Sequence, residues 1–301
     1  VAGERISEEL AQLLAQPDSA VYLVLLDELG LLTILFPELE PLRRLAQSPP
    51  QHLPVLAHSQ EAVRSLEQLL EELGTEPPSA VFALLRPFAG RLQTHLVQIM
   101  SGTGPRLVML KLAALLHDVG KAETGSVDAD GRIRFLGHQP RSKEMATGIL
   151  QRLRLSKAEI RLGETVIENH MRPLLLASQE SVSSRAIYRF FRDTGDAGVD
   201  ILLHALADNR ATYPPGTDNL AYQRLVALAA RMLHDNWEHR QERVAPPPLI
   251  TGRDLLREFA LQPGPQIGRL LEAVREAQVT GDVTTREQAL ALASRQLGQE
   301  E

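Results

Sequence analysis

The chain of 301 residues contains no cysteine. A disulfide framework, a thiolate zinc site and a cysteine nucleophile are therefore excluded, and the composition fits a reducing compartment. No apolar stretch approaches the roughly 18 residues of a membrane span, and the N-terminus lacks the basic-then-apolar pattern of a secretory signal. From these absences we expect a cytoplasmic protein without a membrane partner.

Aromatic residues are also scarce, at 4% of the chain, whereas 44% is hydrophobic. Leu, Ala, Glu and Arg dominate, which is typical of helices packed against helices. Apolar residues recur at spacings of three and four through most of the sequence, so we predict an all-α fold. The stretch near 125–137 is the exception. Its Asp-Ala-Asp-Gly at 128–131 is a tight-turn sequence between short alternating runs, which predicts one small β-hairpin.

Proline-rich stretches interrupt the helical pattern, the main ones being SPPQHLP (48–54) and the Pro-Pro-Gly that follows Tyr213. We use them to predict three segments: a helical neck at 1–50, a helical core domain at 51–215 and a helical body and tail at 216–301. The sequence gives no indication of the oligomeric state.

Charge is distributed unevenly along the chain. The net charge of -6 argues against a nucleic-acid footprint over the whole surface. The segment from Arg132 to Arg172, however, contains nine Lys or Arg residues and only four Asp or Glu residues. This local excess indicates an anionic ligand near the segment. Solvated basic helix faces are the alternative.

Two potential metal ligands of different hardness, His117 and Asp118, stand side by side at the end of the apolar run LVMLKLAALLHDVGK. An imidazole beside a carboxylate suits a first-row divalent metal. Further candidate ligands at helix ends or inside apolar helices are His58, His138, His170 and Asp208. Each has a structural explanation alone, and Asp208 could pair with Arg210 or Arg185. Together they predict a metal site.

Histidines outside this set receive other assignments. His204 lies one helical turn before Asp208, so we interpret it as a support that orients a ligand, and leave it out of the ligand set. The remaining histidines are predicted to be structural or surface residues: His52, His95, His234 and His239.

The order of these ligands resembles the HD-domain metal-dependent phosphohydrolase superfamily. Its defining ligands match His58, His117, Asp118 and Asp208. The two additional histidines of its two-metal members match His138 and His170. The resemblance implies a helical HD-domain core that holds one or two divalent metal ions, with Asp118 as the bridge. The residue types admit Mg, Mn, Ni, Co, Fe or Zn.

The same resemblance assigns catalytic roles. Asp118 and Lys121 are the predicted catalytic residues, and Lys121 fits the HDxGK extension of the family motif. A lysine there is placed to neutralise charge that develops on a phosphate. Arg141 and Lys143, just after His138, are further candidates for phosphate contact, with a solvated helix face as the equal alternative.

A longer resemblance covers nearly the whole chain. GERISEEL, LGLLTILFPEL and above all ITGRDLLREFALQPGPQIGRLLEAVREAQVTGDVTTREQAL are similar to bacterial tRNA nucleotidyltransferases (CCA-adding enzymes) and their poly(A) polymerase relatives. They match the part of those enzymes that follows the catalytic head. The resemblance implies a tail that contacts tRNA, with Arg253, Arg257 and Arg269 as candidate RNA-binding residues.

The catalytic head of that family needs a Gly-Ser pair followed about ten residues later by Asp-x-Asp, and this spacing is not found. We therefore expect no nucleotidyltransferase activity from this chain alone. Because the sequence begins with Val1 rather than Met, we expect a processed or truncated product.

Three functional hypotheses are compatible with these patterns. The first is a metal-dependent phosphohydrolase that acts on phosphomonoesters or 2′,3′-cyclic phosphodiesters of nucleotides or RNA ends. The alternative is a non-catalytic, tRNA-binding C-terminal region of a CCA-adding enzyme or poly(A) polymerase, and one chain could do both. A nucleotide triphosphohydrolase or cyclic-dinucleotide phosphodiesterase is the third, although the GYP motif of the latter is not present.

Overall fold

The computed structural model describes residues 3–75, 82–102, 104–214, 217 and 219–300. Helices form nearly all of the regular structure in these ranges, which confirms the predicted all-α fold. The α-helices are α1 Gly3–Leu14, α2 Ser19–Glu28, α3 Leu32–Leu35, α4 Val55–Gly74, α5 Ala89–Leu96, α6 Arg106–Leu116, α7 Lys121–Thr124, α8 His138–Arg152, α9 Lys157–Asn169, α10 Arg172–Ala177, α11 Ser184–Thr194, α12 Ala197–Thr212, α13 Leu220–Glu238, α14 Gly252–Glu258, α15 Pro265–Thr280 and α16 Arg286–Glu300. Short 3-10 turns lie at Pro37–Leu42, Phe82–Leu84 and Arg86–Phe88.

Backbone contacts divide the chain into two units. Unit 1 comprises the described residues within 1–178 and 196–230, and unit 2 those within 179–195 and 231–301. The first holds α1–α10, α12 and the start of α13, and the second holds α11, the end of α13 and α14–α16. The three segments expected from the sequence stay a prediction.

The core of unit 1 is built from α4, α6, α9 and α12, which pack against one another. Every residue from Val108 to Leu116 in α6 is buried, and in α12 all residues but Arg210 are buried. A helix that is apolar on all sides is covered on all sides. Polar side chains on α12, and those that directly follow α6, are therefore carried into the interior.

A buried lysine fastens the N-terminal helices to this core. The Nζ atom of Lys111 on α6 lies 2.7 Å from Oε1 of Glu67 on α4 and donates to the carbonyl oxygen of Gln16 at 2.7 Å. Ser19, at the start of α2, donates its hydroxyl to the same Glu67 carboxylate at 2.6 Å. Burial lowers the pKa of Lys111, and the Glu67 carboxylate opposes that shift. Loss of either charge would leave the other buried and unpaired, which is costly.

A short strand pair that the sequence did not predict precedes α6. β1 Ile99–Met100 pairs antiparallel with β2 Gly104–Pro105. Two residues a strand are too few to show an alternating pattern, so the sequence carries no usable signal here. Near the end of α13 the helical pattern also changes, because α13 ends at Glu238 and a π-helical turn lies at Arg240–Val244.

The predicted hairpin is confirmed. Strands β3 Gly125–Val127 and β4 Ile133–Phe135 pair antiparallel, and Asp128 closes the turn by accepting from the backbone N–H of Asp130 and Arg132. Gly131 adopts a φ of 77°, a conformation that favours glycine.

Unit 2 has its own apolar core. The tail helices α14, α15 and α16 bury Leu255, Leu270, Val274 and Ala289. Thr251 and Asp254 form a capping box at the start of α14, and the carboxylate of Asp254 also accepts from a guanidinium two helices later. These reciprocal bonds satisfy the free N–H groups of the helix start.

The turn after α6 fits tightly against the start of α8. Gly120 donates its N–H to the hydroxyl of Ser142 at 3.0 Å. A Cβ atom on Gly120 would lie 2.5 Å from the backbone nitrogen of Ser142 and 2.9 Å from the carbonyl carbon of Arg141. Only glycine allows this approach, because the atoms in the way are backbone.

We predict that Gly120→Ala destabilises the protein, since the added methyl must push two backbone segments apart. Overpacking of this kind costs about 1–3 kcal/mol. Gly148→Ala is the matched control, because Gly148 lies exposed in α8 with no atom within 4 Å of the position that a methyl group would take. There alanine gains roughly 0.5–1 kcal/mol from helix propensity. Urea unfolding measures both, and a wild-type midpoint for Gly120→Ala would contradict the tight contact.

Candidate metal centre

Six predicted ligands lie on five separate elements and meet in the core of unit 1. They are His58 in the first turn of α4, His117 and Asp118 directly after α6, His138 at the first residue of α8, His170 directly after α9, and Asp208 in α12. All six are buried, with at most 8% of any of them exposed. The order of ligands in the sequence thus corresponds to one cluster in space.

Three of the imidazoles are fixed in the same way. The Nδ1 atoms of His117, His138 and His170 each lie 2.7–2.8 Å from the carbonyl oxygen three residues earlier in the chain. A carbonyl oxygen only accepts, so each Nδ1 carries the proton. The Nε2 atoms are left to face the cluster, which is the arrangement that carbonyl contacts impose on metal-binding histidines.

Asp118 lies between these rings. Its Oδ2 atom is 3.0 Å from Nε2 of His117. Its Oδ1 atom is 3.4 Å from Nε2 of His138 and 4.0 Å from Nε2 of His170. The two carboxylate oxygens therefore contact different imidazoles, Oδ2 that of His117 and Oδ1 those of His138 and His170.

Asp208 contacts the imidazoles of His58 and His117. Its Oδ1 atom lies 2.8 Å from Nε2 of His58 and 3.6 Å from Nε2 of His117. The ion pairs considered for Asp208 from the sequence do not form, because Arg210 pairs with Glu72 and Arg185 lies near Glu276.

Two groups of ligand atoms satisfy the spacing that one metal ion needs. The first comprises His58, His117 and Asp208, and the second comprises His117, Asp118 and His170. All ligand atoms within each group lie within 4.8 Å of one another. His117 belongs to both groups by distance, although the family resemblance assigns it to one ion. His138 adjoins the second group through a contact of 3.4 Å with His170.

The electrostatics of the cluster are strongly perturbed. Burial opposes a charged imidazole at His117, but the charge and hydrogen bond of Asp118, helped by Asp208, outweigh it and raise the pKa of His117 to about 10. Burial works against ionisation of Asp118 as well, yet the charges of His117 and Lys121 hold its pKa well below the usual range. A positive charge at Nε2 of His117 is therefore favoured strongly.

The other buried imidazoles behave in the opposite way. Burial, followed by the charge of His117, lowers the pKa of His170 to about 4. The pKa of His138 is lowered mainly by burial, and that of His204 falls well below its usual value for the same reason. These rings are neutral near pH 7, which is the state that binds a metal.

His204 is closer to the centre than we expected. It is fully buried, and its ring centroid lies 4.8 Å from that of His117 and 5.7 Å from that of His170. Neither ring nitrogen has a hydrogen-bond partner among the described residues, so the expected hydrogen bond to a ligand carboxylate is not formed. The spacing between His204 and Asp208 indicates that His204 lies near the ligand cluster. It does not indicate which imidazole rings His204 contacts.

Lys121 also contacts the cluster. Its ammonium group lies 2.6 Å from Oδ2 of Asp118 and donates to the side-chain oxygen of Gln47 at 2.7 Å. The same nitrogen lies over the Phe135 ring, 5.2 Å from its centroid. Lys121 therefore lies against the carboxylate of the second ligand group. No sequence pattern indicates that Gln47 would also accept from Lys121.

The other two predicted phosphate-binding residues, Arg141 and Lys143, pair with carboxylates of the protein. Arg141 pairs with Glu123 and Glu144, and Lys143 pairs with Glu168 at 2.8 Å. The predicted RNA-binding residues all lie exposed in unit 2, and they are Arg253, Arg257 and Arg269. Neither set shows a contact with the ligand cluster among the described residues.

The residues fit a divalent metal. Neither oxygen of Asp118, nor Nε2 of His117, has a regular hydrogen bond within the described part of the chain. Buried polar atoms without such bonds are costly unless another group satisfies them. Imidazole nitrogens and carboxylate oxygens that converge in this way form the donor set of first-row divalent ions and of zinc.

Comparison with known families gives the class of protein. The HD domain family matches residues 55–229, more than half of the chain. The chain belongs to the HD-domain family. Residues 1–43 match the family described as "Probable RNA and SrmB- binding site of polymerase A", and residues 223–293 match tRNA nucleotidyltransferase domain 2.

The similar proteins are tRNA nucleotidyltransferases. An A-adding tRNA nucleotidyltransferase of Deinococcus radiodurans is 32% identical over 98% of this chain and 58% of its own length. A CC-adding tRNA nucleotidyltransferase of Thermus thermophilus is 33% identical over 96% of this chain and 56% of its own. Both resemblances stated from the sequence are confirmed. The chain spans somewhat more than half the length of these relatives.

No helix in the described residues has the length and apolarity needed to cross a bilayer.

We predict that His117→Gln and Asp118→Asn each weaken the affinity for a divalent metal ion, because each removes a ligand. The loss exceeds the roughly 10- to 100-fold that follows removal of a group that only orients a ligand. Metal content after dialysis against Mn²⁺ or Ni²⁺ measures this. At a free metal concentration of about 100 times the dissociation constant, binding adds roughly 2.7 kcal/mol to the free energy of unfolding of the wild type and little to that of the variants. His239→Gln, in unit 2 beside Glu242, is the control and retains metal. Equal metal content in all four proteins would refute the site.

A pH effect follows from His170. Its folded pKa of about 4 is lower than its ordinary value of 6.5, so between these values the unfolded chain binds a proton that the folded chain does not. Stability of the metal-free protein therefore falls as pH drops through this window, by on the order of 1–2 kcal/mol between pH 7 and 5. Urea unfolding in a chelator measures the slope. It becomes shallower in His170→Gln, and an unchanged slope would show that His170 titrates normally.

Proposed function

We propose that the chain is a metal-dependent phosphohydrolase acting on phosphoesters of nucleotides or RNA ends. One observation carries the proposal: two buried groups of ligand atoms meet at His117, and Asp118 in the second group has the Lys121 ammonium against it. Membership of the HD-domain family supports it. The names of the relatives support a substrate related to tRNA.

In this proposal His58, His117, Asp118 and Asp208 would hold one divalent ion, and His138 and His170 would hold a second together with Asp118. When bound, such ions polarise a phosphoryl oxygen and lower the pKa of water. The buried helix ends exclude bulk water and so strengthen each electrostatic contact in the cluster.

The protein groups have distinct parts in this chemistry. The Nδ1–H bonds to backbone carbonyls keep the rings from turning, so that every Nε2 stays directed at Asp118. Lys121 fixes the Asp118 carboxylate, and its charge is placed to offset negative charge that develops on a substrate phosphate. Arg141 and Lys143 remain candidates for phosphate contact only if a substrate displaces the carboxylates of Glu123, Glu144 and Glu168.

A second candidate function is a non-catalytic, tRNA-binding part of a nucleotide-adding protein. It is favoured by the family matches at 1–43 and 223–293, which flank the HD region. The exposed arginines Arg253, Arg257 and Arg269 fit a phosphate backbone. Hydrolysis and tRNA binding are compatible within one chain.

We expect wild-type protein to hydrolyse 2′,3′-cyclic AMP and p-nitrophenyl phosphate with at least one of Ni²⁺, Mn²⁺, Co²⁺ or Mg²⁺. Asp118→Asn removes the carboxylate charge of the second ligand group, and kcat should fall by at least about 100-fold. Release of p-nitrophenol and separation of the nucleotide products give both rates.

His239→Gln controls for loss of a histidine outside the ligand set and retains full activity. Undiminished hydrolysis by the double variant His117→Gln, Asp118→Asn would overturn the assignment. If wild-type protein hydrolyses neither compound with any metal, but binds tRNA with a steep salt dependence, the second candidate function is supported instead.

A further inference from the structure

A cavity of about 660 Å³ lies in unit 1, between α4, the last turn of α12 and the start of α13. Its volume falls within the range of about 300–1,000 Å³ that is typical of small-molecule sites. The wall residues that carry the argument are Arg64, Phe82, Asn209, Arg210, Tyr213 and Tyr222. None of them belongs to the predicted ligand set or to the predicted phosphate and RNA contacts.

The cavity adjoins the metal centre through two helices. On α4, the wall residues Glu61, Ser65 and Gln68 continue the stripe that begins at His58, at spacings of three and four. On α12, the wall residue Asn209 directly follows Asp208. Because His58 and Asp208 are bonded at 2.8 Å, wall residues on both helices lie within one helical turn of the ligand group that contains them.

Aromatic rings and a side-chain amide meet in this wall. Phe82 and Tyr222 pack edge to face, with ring centroids 6.5 Å apart. Tyr213 directly follows α12 and is half-buried. The amide oxygen of Asn209 accepts from the side-chain amide of Asn219 at 3.3 Å, which orients its own NH₂ group as a donor. Aromatic faces with an oriented amide are the groups by which proteins hold unpaired nucleobases.

The charges in the wall are balanced. Arg210 pairs with Glu72 at 2.7 Å, and Arg64 pairs with Glu61 at 3.3 Å. Each arginine therefore already has a carboxylate, and no net positive charge remains to favour a phosphate. Burial raises the pKa of Tyr222 to about 12, so its phenol stays uncharged. A neutral, flat and polar-edged ligand suits this wall better than an anion.

We propose that this cavity binds the nucleoside part of the substrate, base and ribose, while the phosphate lies at the metal centre. The proposal deepens the proposed function and rests on it. It divides recognition between two places: the ligand cluster is responsible for the phosphate, and the aromatic and amide wall is responsible for the base. We assign base stacking to Tyr213, because this wall residue directly follows α12, the helix that carries Asp208.

The test uses adenosine and cytidine, which have a base and no phosphate, with ribose 5-phosphate as the probe that lacks a base. Each is titrated calorimetrically into the whole chain in a chelator, so that no metal contributes. Stacking on one aromatic ring is worth about 1–3 kcal/mol, so Tyr213→Ala should weaken nucleoside binding roughly 5- to 150-fold. Tyr213→Phe keeps the ring and binds within a few-fold of wild type.

Tyr22→Ala is the matched control, because Tyr22 is an exposed tyrosine of α2 outside the cavity wall, and it leaves nucleoside binding unchanged. Thermal unfolding checks that all three variants fold. Wild-type protein that binds neither nucleoside, or Tyr213→Ala that binds them as wild type does, overturns the cavity assignment.

The hydrolysis assay separates this proposal from the proposed function. Nucleoside binding that depends on Tyr213, in a protein that hydrolyses no phosphoester with any metal, upholds the cavity and rejects the hydrolase. Hydrolysis that needs Asp118, in a protein that binds no nucleoside, does the reverse.

Discussion

Three backbone carbonyls determine what the ligand cluster can do. Each accepts the Nδ1–H of an imidazole three residues further along the chain, at His117, His138 and His170. Without these bonds each ring could carry its proton on either nitrogen and turn about its bonds. With them, the Nε2 atoms of all three rings lie within 4.0 Å of an oxygen of Asp118.

This arrangement concentrates charge in a place that is otherwise apolar. Asp118 and Asp208 are buried among helix faces made of Leu, Ala and Val, where an unpaired carboxylate is expensive. In the metal-free state a proton on His117, together with Lys121, balances them. A divalent ion replaces that proton with a larger charge, so metal and proton compete for one position.

Much of this could be predicted from the order of residues. Periodicity located the core helices, and His117-Asp118 at the end of an apolar run located the cluster, because such a run must be buried and the residues directly after it are buried with it. The contacts of His204, the sharing of Lys121 by Gln47 and the pairing of Arg141 and Lys143 with carboxylates could not be predicted. They depend on which faces of distant helices meet, and spacing along one helix says nothing about its neighbour.

The proposed separation of phosphate and base recognition would have a consequence for specificity. The arginines of the cavity wall are paired with Glu61 and Glu72, so the proposal assigns attraction for phosphate to groups outside this wall. Such attraction is the same for every phosphoester, whatever its base. Discrimination between substrates then depends on the ring of Tyr213 and the amide of Asn209. One neutral wall beside one highly charged cluster lets affinity for phosphate and choice of base vary independently, since the groups responsible for each are different.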